Sequence, residues 1–243
     1  MKNKILKNSI ILILFVKLLN CTSSEKDLST STCESNKNKK EEEKKILKNY
    51  TFETNSASIT YIQGLMIIGI LEQFRPNNIC EYGAGVSSGI FQTYCEKYNK
   101  SLLTIEHDVK YQTKESKLFS LIENTTVTIN NVKYGKTNKY EGLEEFFSKY
   151  DKKFDFVFID GPFGCEREYY AYTRIQMLDL IEYDLLSDEG YFLIHDTERK
   201  NGQASIKVLL SLFEQKNYTL LIEELGLNQI KMMTIIKFKK KMN

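Results

Sequence analysis

Three short stretches of this chain hold residues that could do chemistry. The first is Glu81-Tyr82-Gly83-Ala84-Gly85-Val86-Ser87-Ser88-Gly89, where the short run Asn78 to Tyr82 gives way to helical spacing. Glycines at such a turn allow close backbone approach to a ligand, and a helix start offers unpaired amides and a favourable dipole. The second is Leu103-Thr104-Ile105-Glu106, which ends in an acid 21 residues beyond Gly85. An α/β sheet places a carboxylate there to accept hydrogen bonds from ribose hydroxyls. Alone, a glycine turn can be a steric device and a strand-end acid a surface group. Together they point to an adenosine-type ligand. The third is a pair of apolar runs, Phe154 to Asp160 and Tyr191 to Asp196, the first ending in an acid and the second in His195 and Asp196. Carboxylates and an imidazole can move protons or hold a divalent ion.

These residues need a scaffold that gathers strand ends, and the hydrophobic pattern supplies one. Thr60 to Phe74 has helical spacing and is closed by Pro76. Strands are predicted at Asn78 to Tyr82, Ser101 to Glu106, Thr126 to Asn130, Phe154 to Ile159 and Tyr191 to His195. Helices are predicted between them, near Ser87 to Tyr98, Tyr111 to Glu123, Leu143 to Tyr150 and Glu168 to Leu186, and afterwards at Ala204 to Lys216. Such alternation implies a parallel sheet covered on both faces. The last two strands, Tyr218 to Glu223 and Met232 to Phe238, are joined through Gly226-Leu227-Asn228 with no helix, so they must run antiparallel. The expected fold is α/β, a Rossmann-like three-layer sandwich whose seven-stranded, mostly parallel sheet ends in an antiparallel hairpin.

Composition narrows the function classes. The chain has 243 residues, 42% of them hydrophobic, enough for a core. A formal charge of +2 argues against nucleic-acid binding through bulk electrostatics. Cys21, Cys33, Cys80, Cys95 and Cys165 form no C-x-x-C pair, which disfavours a cysteine zinc site.

The front of the chain reads differently. Lys2, Lys4 and Lys7 precede the apolar run Ile10 to Val16, the pattern of an export signal, shorter than the roughly 20 apolar residues that span a bilayer. Leu18-Leu19-Asn20-Cys21 resembles a bacterial lipoprotein processing site, although Asn20 is larger than the residue that family prefers. Residues 1–21 are therefore expected to be a signal peptide or a lipoprotein signal or anchor. Residues 22–48, rich in Ser, Asn, Lys and Glu, are expected to be a disordered tether before a domain at 49–243. The localisation expected is exported or membrane-anchored. Asn-x-Ser/Thr triplets begin at Asn20, Asn49, Asn99, Asn124 and Asn217, only slightly more than chance supplies.

On Glu81, Gly83, Gly85 and Glu106, with the terminal hairpin, the chain from Thr60 to Lys240 resembles the class I S-adenosylmethionine-dependent methyltransferases. The resemblance implies that cofactor, with Glu81, Gly83, Gly85, Ser88, Glu106 and Asp160 around it. It also implies a methyl acceptor, for which a hydroxyl of a glycan or small molecule fits the strand-end residues. An acceptor hydroxyl must lose its proton to a base or to a metal that lowers its pKa. Two designs stay open: Asp160 or His195 acts as the catalytic base, or Asp160 and Asp196, with His195, hold magnesium or manganese.

Asp160-Gly161-Pro162-Phe163-Gly164 and His195-Asp196-Thr197-Glu198-Arg199 resemble, more distantly, the anchored polysaccharide O-methyltransferases. That likeness would make Arg167, Arg174 and Arg199 candidates for a substrate carboxylate. Tyr169, Tyr170 and Tyr172 could line an acceptor pocket, and Cys165 shows no paired His that would make it a nucleophile. Two rival readings remain, a catalytically inactive exported binding protein on this scaffold and a nucleotide-dependent oxidoreductase. The first has weight because the cofactor is made in the cytosol.

Overall fold

The computed structural model describes residue 50 and residues 59–129, 132–162, 174–215, 218–227 and 230–241. The expected leader and tether, Cys165, Arg167, the three tyrosines at 169, 170 and 172, and the sequons at 20, 49 and 217 lie outside the described residues.

Helix α1 (Tyr61–Phe74) starts at a capping box: Thr60 Oγ1 accepts from the Gln63 amide and Gln63 Oε1 accepts from the Thr60 amide. It stops at Arg75 in the left-handed region, with Pro76 unable to continue it. Strand β1 (Asn78–Tyr82) follows, then α2 (Val86–Tyr98), β2 (Ser101–Glu106) and β3 (Ser116–Leu118). Asn99 closes α2 with a φ of 53°, a conformation Asn tolerates well, which accounts for that residue without a glycan. Next come β4 (Leu121–Ile129), β5 (Val132–Tyr140), α3 (Leu143–Ser148), β6 (Phe154–Ile159), α4 (Met177–Glu182) and β7 (Leu186–His195). Helix α5 (Lys200–Gln215) and the strands β8 (Tyr218–Leu227) and β9 (Ile230–Lys240) complete the order.

The main sheet has seven strands in the order β3-β2-β1-β6-β7-β9-β8. The first five run parallel, while β9 is antiparallel to both β7 and β8. This is the Rossmann-like sandwich with a reversed terminal hairpin that the sequence implied.

Side chains alternate across the sheet as the pleat demands. Ile79, Phe156, Phe158, Leu193 and Ile235 pack under α1 and α2. Cys80, Tyr82, Ile159, Phe192, Ile194 and Phe238 pack on the opposite face against α3, α4 and α5. Cys80 and Cys95 are buried free thiols, and burial pushes both up, Cys95 to about 12, so neither is poised as a nucleophile.

Three expectations need correction. No helix covers Tyr111 to Glu123: a single 3-10 turn (Val109–Tyr111) leads straight into β3. The strand expected at Thr126 to Asn130 is not the sheet's third strand but part of β4, paired only with β5 in a separate two-stranded sheet. Val132, Tyr134, Thr137 and Tyr140 favour a strand, yet the lysines between them read as loop. The helix expected to reach Leu186 is short where it is described, because Tyr183 and Asp184 (φ 51°) end it and β7 begins at Leu186.

Candidate functional site

Strand order reverses between β1 and β6, and ligands of such sheets bind in the crevice outside the carboxyl ends there. The turn after β1 fills one side of it. Gly83 has a φ of 89°, and a Cβ there would lie 2.7 Å from Gly161 N, so the turn after β1 and the turn after β6 touch backbone to backbone. Asp160 N and Gly161 N both donate to Tyr82 O, holding that contact.

Gly85 differs. Its φ of 168° is extended backbone open to any residue, yet a Cβ there would meet nothing within 4 Å. The missing side chain leaves room at the start of α2, where the first amides lack intrahelical partners.

The acids shape this turn from beneath. Glu81 is fully buried; its carboxylate accepts from Ser87 Oγ at 2.6 Å and from Thr104 Oγ1 at 2.8 Å. Burial pushes its carboxyl up to about 7, against the opposing pull of these hydrogen bonds. Ser88, 1% exposed, accepts from Gly85 N and caps the helix. Both were expected at the cofactor; the structure places them inside the turn, where they hold its shape.

Glu106, 2% exposed, accepts from Ala84 N in the glycine turn and from His107 N (2.6 Å) and Asp108 N (2.8 Å). It thus ties the end of β2 to the end of β1. With two amides and His107 Nδ1 (2.8 Å) at Oε1 and one amide at Oε2, the carboxylate keeps acceptor capacity on Oε2. Open space at Gly85 beside this acid and the helix amides suits an adenosine-type cofactor.

The second half of the site lies at the ends of β6 and β7. His195 Nδ1 is 2.7 Å from Asp160 Oδ1, and His195 Nε2 is 2.8 Å from Gln63 Nε2. Gln63 Oε1 faces the Thr60 amide, a donor, so its NH2 group must face His195. The consistent arrangement is a neutral ring that donates from Nδ1 to Asp160 and accepts at Nε2. Burial alone would lower the pKa of His195; the hydrogen bond that its ring donates to Asp160 and the charges of Asp160 and Asp196 outweigh it and raise it above its ordinary value.

Asp160, His195 and Asp196 bring ligand atoms within 4.8 Å of one another, the grouping expected for a metal. Arg174 sits among them. Its Nη2 donates to Asp160 Oδ1 at 3.2 Å and to Asp196 Oδ2 at 2.9 Å. Both His195 nitrogens are already engaged, so these residues, as arranged, do not fit a divalent ion. Arg174 is 5% exposed and turned inward, which removes it as a recogniser of a substrate carboxylate. Arg199 is exposed, 3.3 Å from Asp196 Oδ2.

Sequence reasoning missed Gln63 as a site residue. The Thr60-x-x-Gln63 spacing signals a helix start but carries no hint of a contact with a residue 132 positions away.

No family model and no curated protein matches the chain. Solved structures of similar fold include a methyltransferase of Podospora anserina with SAH bound, at 16% identity over 88% of this chain and 100% of that one, TM-score 0.47. An O-methyltransferase of Bacillus cereus in complex with SAH is similar at 11% identity over 81% and 90%, TM-score 0.49. A methyltransferase of Pyrococcus furiosus is similar at 13% over 85% and 99%, TM-score 0.48. The likeness is one of fold. This chain's own sheet has seven strands, with the last in sequence, β9, reversed between β7 and β8.

Proposed function

We propose that the protein is an S-adenosylmethionine-dependent methyltransferase acting on a hydroxyl of a glycan or small molecule. The observation that carries this reading is antiparallel β9 between β7 and β8, in a sheet whose strand ends join a glycine turn to the Asp160–His195 pair. A nicotinamide-dependent oxidoreductase would have no use for that reversed strand. An inactive binding protein would not need the open space at Gly85 or the Asp160–His195 pair.

Gly85, the start of α2 and Glu106 would hold the cofactor, which when bound supplies an electrophilic methyl group on a sulfonium. The chain's own residues manage the acceptor's proton. Asp160 accepts a hydrogen bond from His195 Nδ1–H, which fixes the tautomer that leaves the ring's lone pair on Nε2. The Gln63 amide stands where an acceptor hydroxyl would donate to that nitrogen. Once a hydroxyl replaces it, His195 takes the proton, and Asp160 with Asp196, 3.5 Å from Nδ1, stabilises the imidazolium.

Export or membrane anchoring through residues 1–21 is proposed on their sequence pattern alone; no described helix is long and apolar enough to cross a membrane. An exported domain would need the cofactor delivered to it; an anchored domain that faces the cytosol would not.

The test is calorimetric titration of the full chain with S-adenosylmethionine, beside Gly85→Leu. The variant's backbone is extended and its Cβ has no atom within 4 Å, so it should fold as wild type while its side chain takes up room in the crevice. Micromolar binding by wild type and at least a tenfold loss in the variant are expected. A folded wild type that binds nothing would sink the enzyme reading in favour of a binding protein.

A further inference from the structure

Asp160, His195 and Asp196 carry the residue types of a divalent-ion site, and we infer that the guanidinium of Arg174 holds the cation's place, so that the proposed methyl transfer runs without a metal. Arg174 is built in. Beyond the two carboxylates, Nη1 donates to Pro162 O at 3.2 Å, Nε to His195 O at 3.4 Å, and its backbone N–H to Ser205 Oγ at 3.3 Å. A planar fork of five donors suits acceptors arriving from two strand ends; a lysine could not match them at once.

Charge and lone-pair counts agree. Arg174 and Arg199 balance the formal charges of Asp160 and Asp196. A dication would therefore enter a place already neutral and expel a buried guanidinium from its partners. Both ring nitrogens of His195 are engaged in this arrangement, Nδ1 with Asp160 and Nε2 with Gln63, so a cation would have to displace one of these contacts as well as Arg174. Arg174 is a positioning residue: it keeps two acids of different strands side by side and turns Asp160 Oδ1 toward His195.

The inference rests on the methyltransferase reading for its chemistry, and its test does not. Metal-stripped full-length protein titrated calorimetrically with manganese chloride should show no saturable binding. Arg174→Met removes the guanidinium, leaves all three potential ligands and should acquire saturable Mn2+ binding. Saturable binding by wild type that Asp196→Asn abolishes would overturn the inference, as would a folded Arg174→Met that takes no Mn2+. Thermal unfolding of wild type with and without Mn2+ needs no variant: an unchanged Tm is expected, and a rise counts against Arg174 in this role. Failure to bind S-adenosylmethionine, by contrast, removes the enzyme reading and leaves the manganese result as it stands.

Discussion

Glu81 carries a carboxyl where no water reaches, and that sets its pH behaviour. Its value in the fold, about 7, lies above the ordinary 4.5 because burial disfavours the charged form. A raised value means the neutral acid is preferred in the fold. The stability this gives is complete below about pH 4.5 and is lost as pH rises toward 7, up to roughly 3 kcal/mol at 1.36 kcal/mol per unit. Glu81→Gln keeps the shape without the charge. Urea unfolding should show the variant gaining stability relative to wild type between pH 5 and pH 8. A difference that is flat with pH would mean that Glu81 is ionised throughout.

Among the elements, α5 fastens the terminal hairpin to the sheet. Phe213 on that helix is fully buried, with its ring centroid 5.4 Å from Phe192, 5.1 Å from Tyr218 and 6.3 Å from Phe238. Its contacts therefore join β7, β8 and β9, the strands that give the fold its reversed end. Phe213→Ala should cost about 3–5 kcal/mol, the range for deleting a buried aromatic. Denaturant titration checks this; a loss below about 1 kcal/mol would show the helix to be loosely docked. The β4–β5 hairpin takes in the strand expected at Thr126 to Asn130 as far as it is described, and adds a partner strand that was not expected. Neither strand pairs with the main sheet, so alternation near Thr126 marked a strand without telling which sheet it joins.

For the molecule as a whole, the site is assembled from four strand ends and the first turn of α1, so occupying it should stabilise all of them together. Ligand that binds only the folded state adds RT ln(1 + [L]/Kd), about 2.7 kcal/mol at a hundredfold excess over Kd. S-adenosylmethionine at that excess should raise the Tm of wild type by several degrees and that of Gly85→Leu by half as much or less, since a tenfold weaker site gains only about 1.4 kcal/mol at the same concentration. Equal shifts in both proteins would place the ligand elsewhere.

What the sequence determined by itself is what neighbouring residues decide: the glycine turn at 83–85, Glu106 closing its strand, Asp160 and His195-Asp196 closing theirs, and a final pair of strands too close for a crossover. Strand and helix periodicity are local, and so are the residues that end them. Tertiary structure decided which groups meet. Arg174 lies 14 residues from Asp160 and 22 from Asp196, and Gln63 lies 132 from His195. No local pattern marks an arginine for burial between two acids, because its charge is tolerated there only once both carboxylates have been brought beside it. The choice between a metal and a guanidinium at this site was therefore made by packing, not by residue type.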